Sequence, residues 1–255
     1  MRLPAPLVGV AVAGVLLVGV AAIVLHDRTK PYTSEQAVAD FRSQHPTAST
    51  SAAADQVRPG VYTYATTGHE QVNVLGGSRH EYPTETTITY RRTACGGEGR
   101  WQPLQDRYST NEVCATDAGG ELRRAFQRHT FFGQADEQDL VCPPGLVLLP
   151  LQPHAGQVST ATCRGKDSTV TLRIEVLGLT QLEVGGRRTD VVHLVVTGDL
   201  AGAARGRTRT EEWLTPGGLT VRTVSSVASD RQTPVGTAHY TEQYSQDLRS
   251  LDSTS

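Results

Sequence analysis

The sequence predicts an N-terminal transmembrane helix followed by one mainly β domain, a curved antiparallel β-meander of half-barrel or sandwich-like form. Three observations predict this fold class. A long apolar stretch lies near the N-terminus, strand-sized runs of alternating apolar and polar residues follow, and glycine pairs separate these runs. Because the chain has 255 residues and no internal linker divides its β-rich part, we expect one domain with one core.

The transmembrane helix is predicted from Leu7 to Leu25, after a short tail of residues 1–6. The predicted span contains no charged or strongly polar side chain, and a membrane-spanning helix requires about 20 apolar residues. A cleaved signal peptide is the alternative, since Val20-Ala21-Ala22 resembles a cleavage site, although the apolar residues continue beyond it. Both interpretations send the rest of the chain across the membrane.

Four cysteines, Cys95, Cys114, Cys142 and Cys163, all follow the apolar stretch. An even number of cysteines in an exported domain predicts disulfides, with three pairings open. The local pairing Cys95–Cys114 and Cys142–Cys163 is favoured because it closes two loops of similar size, but spacing does not fix connectivity. The charges that flank the apolar stretch do not choose an orientation, whereas the cysteines do. We therefore expect a single-pass protein of the cell membrane with a cytoplasmic N-terminus and an extracytoplasmic C-terminal domain.

Residues 26–58 are predicted to form a short juxtamembrane helix and a flexible linker. Thr33 and Gln36 have the spacing of a capping box, and the apolar residues that follow, notably Phe41, would give the helix one apolar side. We expect this helix near the membrane surface or as a solvated spacer. Residues 43–57 are rich in Ser, Thr and Ala, a composition that would hold the domain up to ~50 Å from the bilayer if fully extended.

The β-rich extracytoplasmic domain is predicted over residues 59–245, followed by a polar tail, residues 246–255, of which Arg249 to Ser255 are expected to fray. Clear alternation runs from Val170 to Val176, which indicates a half-buried strand. Residues 191–196 are apolar on both sides, as expected for a strand buried on both faces. Further alternating runs begin at Val61, Thr208 and Leu219.

Glycine pairs separate these strands and predict tight turns, because glycine reaches positive φ angles. They lie at 76–77, 96–97, 119–120, 185–186 and 217–218. In the segment Cys142-Pro143-Pro144-Gly145, two adjacent prolines remove backbone donors, which excludes a central strand. The apolar run from Leu146 to Leu151 is then expected to form an edge strand or a loop across an open end of the sheet.

The chemistry-bearing residues form no recognisable motif, so we assign no catalytic, metal-binding or cofactor-binding residue and predict no cofactor. A net charge of −2 on a mixed surface argues against a nucleic-acid partner. The neighbours in His69-Glu70 and in His80-Glu81 point to opposite faces of a strand and cannot share a metal ion. An enzyme would need a site assembled from scattered residues such as His193, Glu212 or Asp190.

The most distinctive stretch runs from Glu211 to Arg222. It predicts a hairpin in which Trp213 ends a charged strand, a Pro-Gly-Gly turn follows, and Trp213 covers one end of the core. Together with Leu149-Pro150-Leu151 and Gly156, it resembles a family of exported bacterial domains of unknown function over residues 146–226. The resemblance implies a curved antiparallel sheet similar to the half-barrels of bacterial lipoprotein carriers, and it carries over no functional residue. The anchor and cysteines are more similar to those of an actinobacterial envelope protein.

Three function classes remain. The first is a non-catalytic binding module, held to the membrane by the N-terminal helix, whose concave sheet face binds a lipid or another apolar envelope ligand. The alternative is a scaffold that presents its surface to an envelope protein partner, and the third is an envelope enzyme with an unrecognised site. A deep apolar pocket would favour the first class, an apolar surface patch over a closed core the second, and a clustered polar cleft the third.

Overall fold

The computed structural model describes residues 29–44, 57–234 and 236–255. Within these residues there are thirteen β-strands and one α-helix. Their bounds are Ser34–Gln44 (α1), Gly60–Val72 (β1), Ser78–Glu81 (β2), Glu85–Arg92 (β3), Gly96–Leu104 (β4), Arg107–Thr116 (β5), Gly119–Phe131 (β6), Gln134–Pro150 (β7), Val158–Arg164 (β8), Ser168–Val184 (β9), Arg187–Gly202 (β10), Ala204–Leu214 (β11), Thr220–Thr233 (β12) and Gly236–Leu248 (β13). The predicted transmembrane helix at residues 7–25 lies outside the described residues, and no helix within them is long and apolar enough to cross a membrane.

The strands form one antiparallel sheet in which, from β3 to β13, each strand pairs with the next along the chain. The first half of β1 pairs with β3 and its second half with β2. β13 returns to β1, with Tyr64 opposite Leu248 and Val72 opposite Tyr240, so the sheet closes on itself. The predicted antiparallel meander is confirmed. Its closure goes beyond the expected half-barrel or sandwich, because the first strand is hydrogen-bonded to the last.

Alternation along the strands separates an interior from an exterior face. In β1, Tyr62 and Tyr64 are buried in the interior, whereas Val61 packs under α1 on the outside. In β10, Val191 and Val192 are both buried, and they belong to different clusters of the core. The prediction of a strand that is apolar on both faces is therefore confirmed for β10.

The helix α1 begins with the predicted capping box. The Thr33 N–H donates to Gln36 Oε1 (2.9 Å), and the Gln36 N–H donates to Thr33 Oγ1 (3.3 Å). The apolar side of the helix packs on the outside of β1, where Ala37 and Phe41 cover Val61. α1 is thus packed on the domain and is not a solvated spacer, one of its two expected forms, because burial of these apolar side chains stabilises the packed position. The expected place of α1 near the membrane surface stays a prediction.

The residues that precede α1 are also bonded to the sheet, at the turn between β4 and β5. The Gln105 N–H donates to Lys30 O (2.9 Å), and the Tyr32 N–H donates to Pro103 O (3.2 Å). Residues 45–56, which lie outside the described residues, join α1 to β1, and both elements belong to the same domain. This segment therefore does not separate the domain from what precedes it, contrary to the expected long tether.

The predicted polar tail, residues 246–255, is bonded to the sheet instead of frayed. β13 includes its first three residues. The Arg249 N–H donates to Thr63 O (3.0 Å), and Thr254 and Val61 exchange two backbone hydrogen bonds of 2.9 Å. The tail is ordered because this end of β1 pairs with β3 on one side only and offers backbone groups on the other.

The strand β7 contains the two adjacent prolines that were expected to exclude a central strand. Its pairing with β6 jumps from Val141 opposite Arg124 to Leu146 opposite Leu122, so Pro143-Pro144 bulges out of the ladder. The prolines consequently interrupt no regular run of hydrogen bonds, which reconciles their presence with their missing donors.

The boundary between β7 and β8 is the most weakly paired in the sheet, and we call it the seam. It has one register pair, Val141 opposite Arg164. Residues 146–150 pair with β6 on one side, so this apolar run is an edge strand, one of its two predicted forms.

The disulfide Cys142–Cys163 crosses the seam beside the single pair, and Cys95–Cys114 links the start of β4 to β5. These are the two disulfides that the sequence favoured.

Because successive strands run in opposite directions, every second turn lies at the same end of the closed sheet. We call the end with the β3–β4, β5–β6, β7–β8, β9–β10 and β11–β12 turns the cavity end. The opposite end, with the β4–β5, β6–β7, β8–β9, β10–β11 and β12–β13 turns, is the ionic end. As predicted, the pair Gly185-Gly186 makes a turn with positive φ angles of 54° and 77°, between β9 and β10.

Candidate functional site

A cavity of about 510 Å³ lies inside the closed sheet and opens at the cavity end. Its wall contains the aromatic and aliphatic residues Ile88, Tyr90, Trp101, Val113, Leu148, Leu149, Leu214 and Tyr244. Polar residues, among them Arg91, Arg92, Asn111 and Gln246, also line it. Three further segments complete the cavity wall. They are Val57 before β1, Leu151 and Pro153 in the β7–β8 turn, and Pro216, Gly217 and Gly218 in the β11–β12 turn. The volume is in the range of small-molecule sites, and part of the predicted apolar run, Leu148–Leu151, supplies one wall.

Glu212 brings a carboxyl group into this mainly apolar cavity. It lies on β11, where alternation directs it to the same face as Leu214, and Leu194 stands opposite it on β10. The residue is half-buried and has no hydrogen bond or ion pair with another described residue. Burial therefore raises the pKa of the Glu212 carboxyl to about 7.

The polar groups around Glu212 are bonded to one another. The Tyr64 hydroxyl donates to Thr220 O (2.8 Å) and the Tyr90 hydroxyl donates to Thr220 Oγ1 (3.1 Å). Deeper in the interior, Trp101 Nε1 and Gln246 Nε2 both donate to Thr86 Oγ1, each at 3.2 Å. The hydrogen-bonding capacity of these groups is thus used within the protein, whereas that of Glu212 faces the cavity.

A second group of polar side chains, the ionic cluster, closes the opposite end of the interior. Its members are Glu70, His80, Tyr82, Arg107, His129, Tyr240 and Glu242. Glu70, Arg107 and Glu242 are each at most 3% exposed. Nδ1 of His80 and Nδ1 of His129 lie 3.0 and 2.8 Å from different oxygens of Glu70.

Arg107 is the central cation of the ionic cluster. Its Nε–H and Nη2–H groups donate to Glu242 Oε1 (3.1 and 2.8 Å), and its Nε lies 3.6 Å from Glu70 Oε2. The Tyr82 hydroxyl also donates to Glu242. Burial raises the pKa of Glu70, but the hydrogen bonds from His129 and His80 and the charge of Arg107 outweigh it, and the pKa is about 2.

Three of these side chains, Glu70, His129 and Glu242, are close enough together to ligate a metal ion. Arg107 already pairs with both carboxylates, and a bound metal ion would have to displace its guanidinium or accept its repulsion. The geometry therefore favours a structural ionic cluster over a metal centre. The other close group contains Cys95 and Cys114, whose sulfurs are joined in a disulfide and are not free to ligate.

The structure does not bring together the scattered residues considered for an enzyme. Glu212 faces the cavity, whereas His193 stacks on Trp213, with 4.2 Å between ring centroids, and lies 3.3 Å from Glu211 on the exterior face. Asp190 accepts a hydrogen bond from Gln181 near the β9–β10 turn. Trp213 is only partly buried beside the core, so it does not close an end of the core by itself.

The ionic cluster was not predicted from the sequence, because its members are as far apart as Glu70 and Glu242. A local signal did exist. The β1–β2 hairpin turns at the glycine pair 76–77, and this register places Glu70 directly opposite His80. Folding the sequence at that pair would have identified the first contact of the cluster. The expectation that His69 and Glu70 point to opposite faces of the strand was correct.

No protein-family model and no curated protein matches this sequence. Among solved structures, the hypothetical lipoprotein YmcC from Escherichia coli (K12) is similar, with 10% sequence identity and a TM-score of 0.30 over 84% of this chain and 98% of that chain. A TM-score this low is no basis for an inference about fold or function. The function must therefore be derived from the cavity and its residues.

Proposed function

We propose that this protein is a non-catalytic binding module for a lipid or another apolar ligand of the cell envelope. The observation that carries the proposal is the cavity of about 510 Å³ inside the closed sheet, which is open at one end and bordered by aromatic and aliphatic side chains such as Trp101, Leu149 and Leu214. These side chains pack in the core clusters and also border the cavity, so a ligand there would contact an apolar surface. The turns at the rim and the edge strand β7 form its entrance.

The proposed location is the cell membrane, with the β-domain on the extracytoplasmic side and the N-terminus in the cytoplasm. The two disulfides support export, because such bonds persist in oxidising compartments outside the cytoplasm. The apolar stretch at residues 7–25 supports a single-pass anchor. In this arrangement the domain would take its ligand from the envelope while it remains held at the membrane.

A second candidate function is an interaction module for an envelope protein. It is favoured by exposed apolar side chains at the seam and its connecting loop, where Val141, Leu151 and Val158 are 53%, 67% and 44% exposed. Crosslinking in cells at introduced probes on these positions should recover one reproducible partner if this function holds.

The primary test is the detection and exclusion of a ligand. Full-length protein purified in mild detergent should release a co-purifying apolar compound in native mass spectrometry. The variant Val113→Phe, which fills the cavity, should lose it, whereas Val224→Phe, on an exposed position of β12, should retain it. The proposal would be contradicted if both the wild type and Val224→Phe carried no ligand and bound no apolar probe.

A further inference from the structure

The cavity wall contains one carboxyl group whose bonding capacity the protein does not use. Glu212 lines the cavity and has no hydrogen bond or ion pair with another described residue. Arg91 and Arg92 also line the cavity, from β3, and Arg91 Nε is buried without a hydrogen-bond partner. Burial alone accounts for the raised pKa of Glu212, so neither guanidinium is close enough to Glu212 to offset its charge. The half-buried Glu212 carboxyl group has no protein partner among the described residues, so it is a group that a ligand in the cavity can satisfy.

The groups that face Glu212 do not supply a cation. The titratable side chains that interact with it are three tyrosines from three strands, Tyr64 of β1, Tyr90 of β3 and Tyr244 of β13. On the neighbouring strands, Leu194 and Thr223 stand opposite Glu212. Among the described residues, the side chains that interact with Glu212 are thus uncharged, and Tyr64 and Tyr90 are already bonded to Thr220.

We infer that the ligand of this cavity is an apolar molecule with an aliphatic amine, whose ammonium group pairs with the Glu212 carboxylate while its hydrocarbon part contacts Trp101, Val113 and Leu149. This inference rests on the proposed binding function and specifies its ligand class. A ligand carboxylate or phosphate would place like charges together in a low-dielectric cavity, and a hydroxyl would gain a hydrogen bond without compensating the charge.

The pH dependence follows from the same geometry. An aliphatic ammonium has a pKa of about 10.4 and stays charged from pH 5.5 to pH 8.5, whereas Glu212 ionises within this window. Amine binding should therefore strengthen as the pH rises. Binding of an uncharged alcohol of the same length should stay nearly constant, because it gains no ion pair.

The test uses Trp101 as an internal reporter. The chain contains two tryptophans, so full-length protein with Trp213→Phe leaves Trp101, in the cavity wall, as the only emitter. This protein is titrated with decylamine, decanol and decanoate at pH 5.5 and pH 8.5. At pH 8.5 decylamine should bind at least tenfold more tightly than decanol, and decanoate more weakly than decanol. The amine preference should fall several-fold at pH 5.5.

Two matched variants complete the experiment. Glu212→Gln should reduce decylamine affinity to that of decanol, whereas Glu211→Gln, on the exterior face of the same strand, should keep the preference. Equal affinity for the amine and the alcohol, tighter binding of decanoate, or a preference that persists in Glu212→Gln would overturn the amine assignment and leave the proposed binding function intact. Failure of all three compounds to bind would overturn both.

Discussion

Glu70 and Glu212 occupy opposite ends of one interior, and their pKa values are shifted in opposite directions. Glu70 accepts bonds from His80 and His129 beside Arg107, and these interactions outweigh its burial. Burial raises the pKa of Glu212, which has no hydrogen-bond or ion-pair partner among the described residues. The contrast shows that the partners of a buried carboxyl group, and not burial alone, decide whether it is charged at neutral pH. One end of the interior therefore holds paired charges, and the other holds a carboxyl group without a partner among the described residues.

Replacing the central cation of the ionic cluster should destabilise the fold. Arg107→Met leaves Glu70 and Glu242 as uncompensated buried charges, so we expect the free energy of unfolding to fall by about 3–5 kcal/mol. Arg222→Met is the control, because its partner Asp247 is exposed and such pairs contribute about 0–1 kcal/mol. Urea denaturation of both variants measures the difference, and equal losses would show that the buried cluster stabilises no more than a surface pair.

Removing the ionisable group in the cavity should stabilise the unliganded protein at alkaline pH. The pKa of Glu212 is near 4.5 in the unfolded chain and about 7 in the folded protein. As the pH rises through this window, the unfolded chain releases a proton that the folded protein keeps, so the wild type loses stability. Glu212→Gln should therefore be more stable by about 1–3 kcal/mol at pH 8 and unchanged at pH 4. Thermal unfolding at both pH values tests this, and a variant less stable at pH 8 would contradict it.

At the scale of elements, local patterns predicted what each segment is, and long-range pairing decided where it lies. The capping box at Thr33 correctly predicted a helix, and the alternation in Val170–Val176 a strand. The position of α1 depends on Phe41 meeting Val61, a contact that its own sequence does not encode. For the same reason, alternation alone puts Glu212 on the face of Leu214, whereas the residues of distant strands that complete the cavity, such as Trp101 and Val113, could not be identified from the sequence.

The two disulfides allow a matched comparison of the seam with a regular part of the sheet. Their sequence separations, 19 and 21, are nearly equal, so loop entropy alone predicts similar contributions of about 3 kcal/mol each. Cys142–Cys163 lies beside the single register pair between β7 and β8, whereas β4 and β5 are paired along most of their length. We expect replacement of both cysteines by alanine to destabilise the protein more at the seam.

Hydrogen exchange resolves where each double variant opens. In the seam variant, loss of protection should be concentrated in β7 and β8, with Leu146–Pro150 affected first because they have a neighbour on one side only. The Cys95, Cys114 variant should keep protection in these strands. Identical exchange patterns in both variants would show that backbone pairing and packing hold the seam closed without the disulfide.

For the whole molecule, the two ends of the closed sheet have different neighbours along the chain. Lys30 and Tyr32 are bonded to Gln105 and Pro103 at the ionic end, and the cavity opens at the other end. The predicted anchor ends at Leu25, and three residues, 26–28, separate it from Thr29, where the described residues begin. Three extended residues span at most about 11 Å. If the anchor spans the bilayer, the ionic end should lie against the membrane and the cavity entrance should face away from it.

Fluorescence quenching in liposomes can test this orientation. A probe attached at Asp106→Cys, in the β4–β5 turn, should be quenched by spin-labelled lipid headgroups, whereas the same probe at Pro216→Cys, at the cavity entrance, should be quenched far less. Both positions are exposed, so the labels perturb no buried contact. Stronger quenching at Pro216 would mean that the cavity faces the bilayer and would contradict the arrangement.

The pairing of β13 with β1 has a consequence for how the protein is made. Tyr64 and its partner Leu248 are far apart in the sequence, so they can pair only after nearly the whole domain has been synthesised. Until then β1 exposes unpaired backbone that other chains can capture. We therefore expect closure to be the last and slowest step of folding, and the emerging chain to depend on envelope chaperones during export.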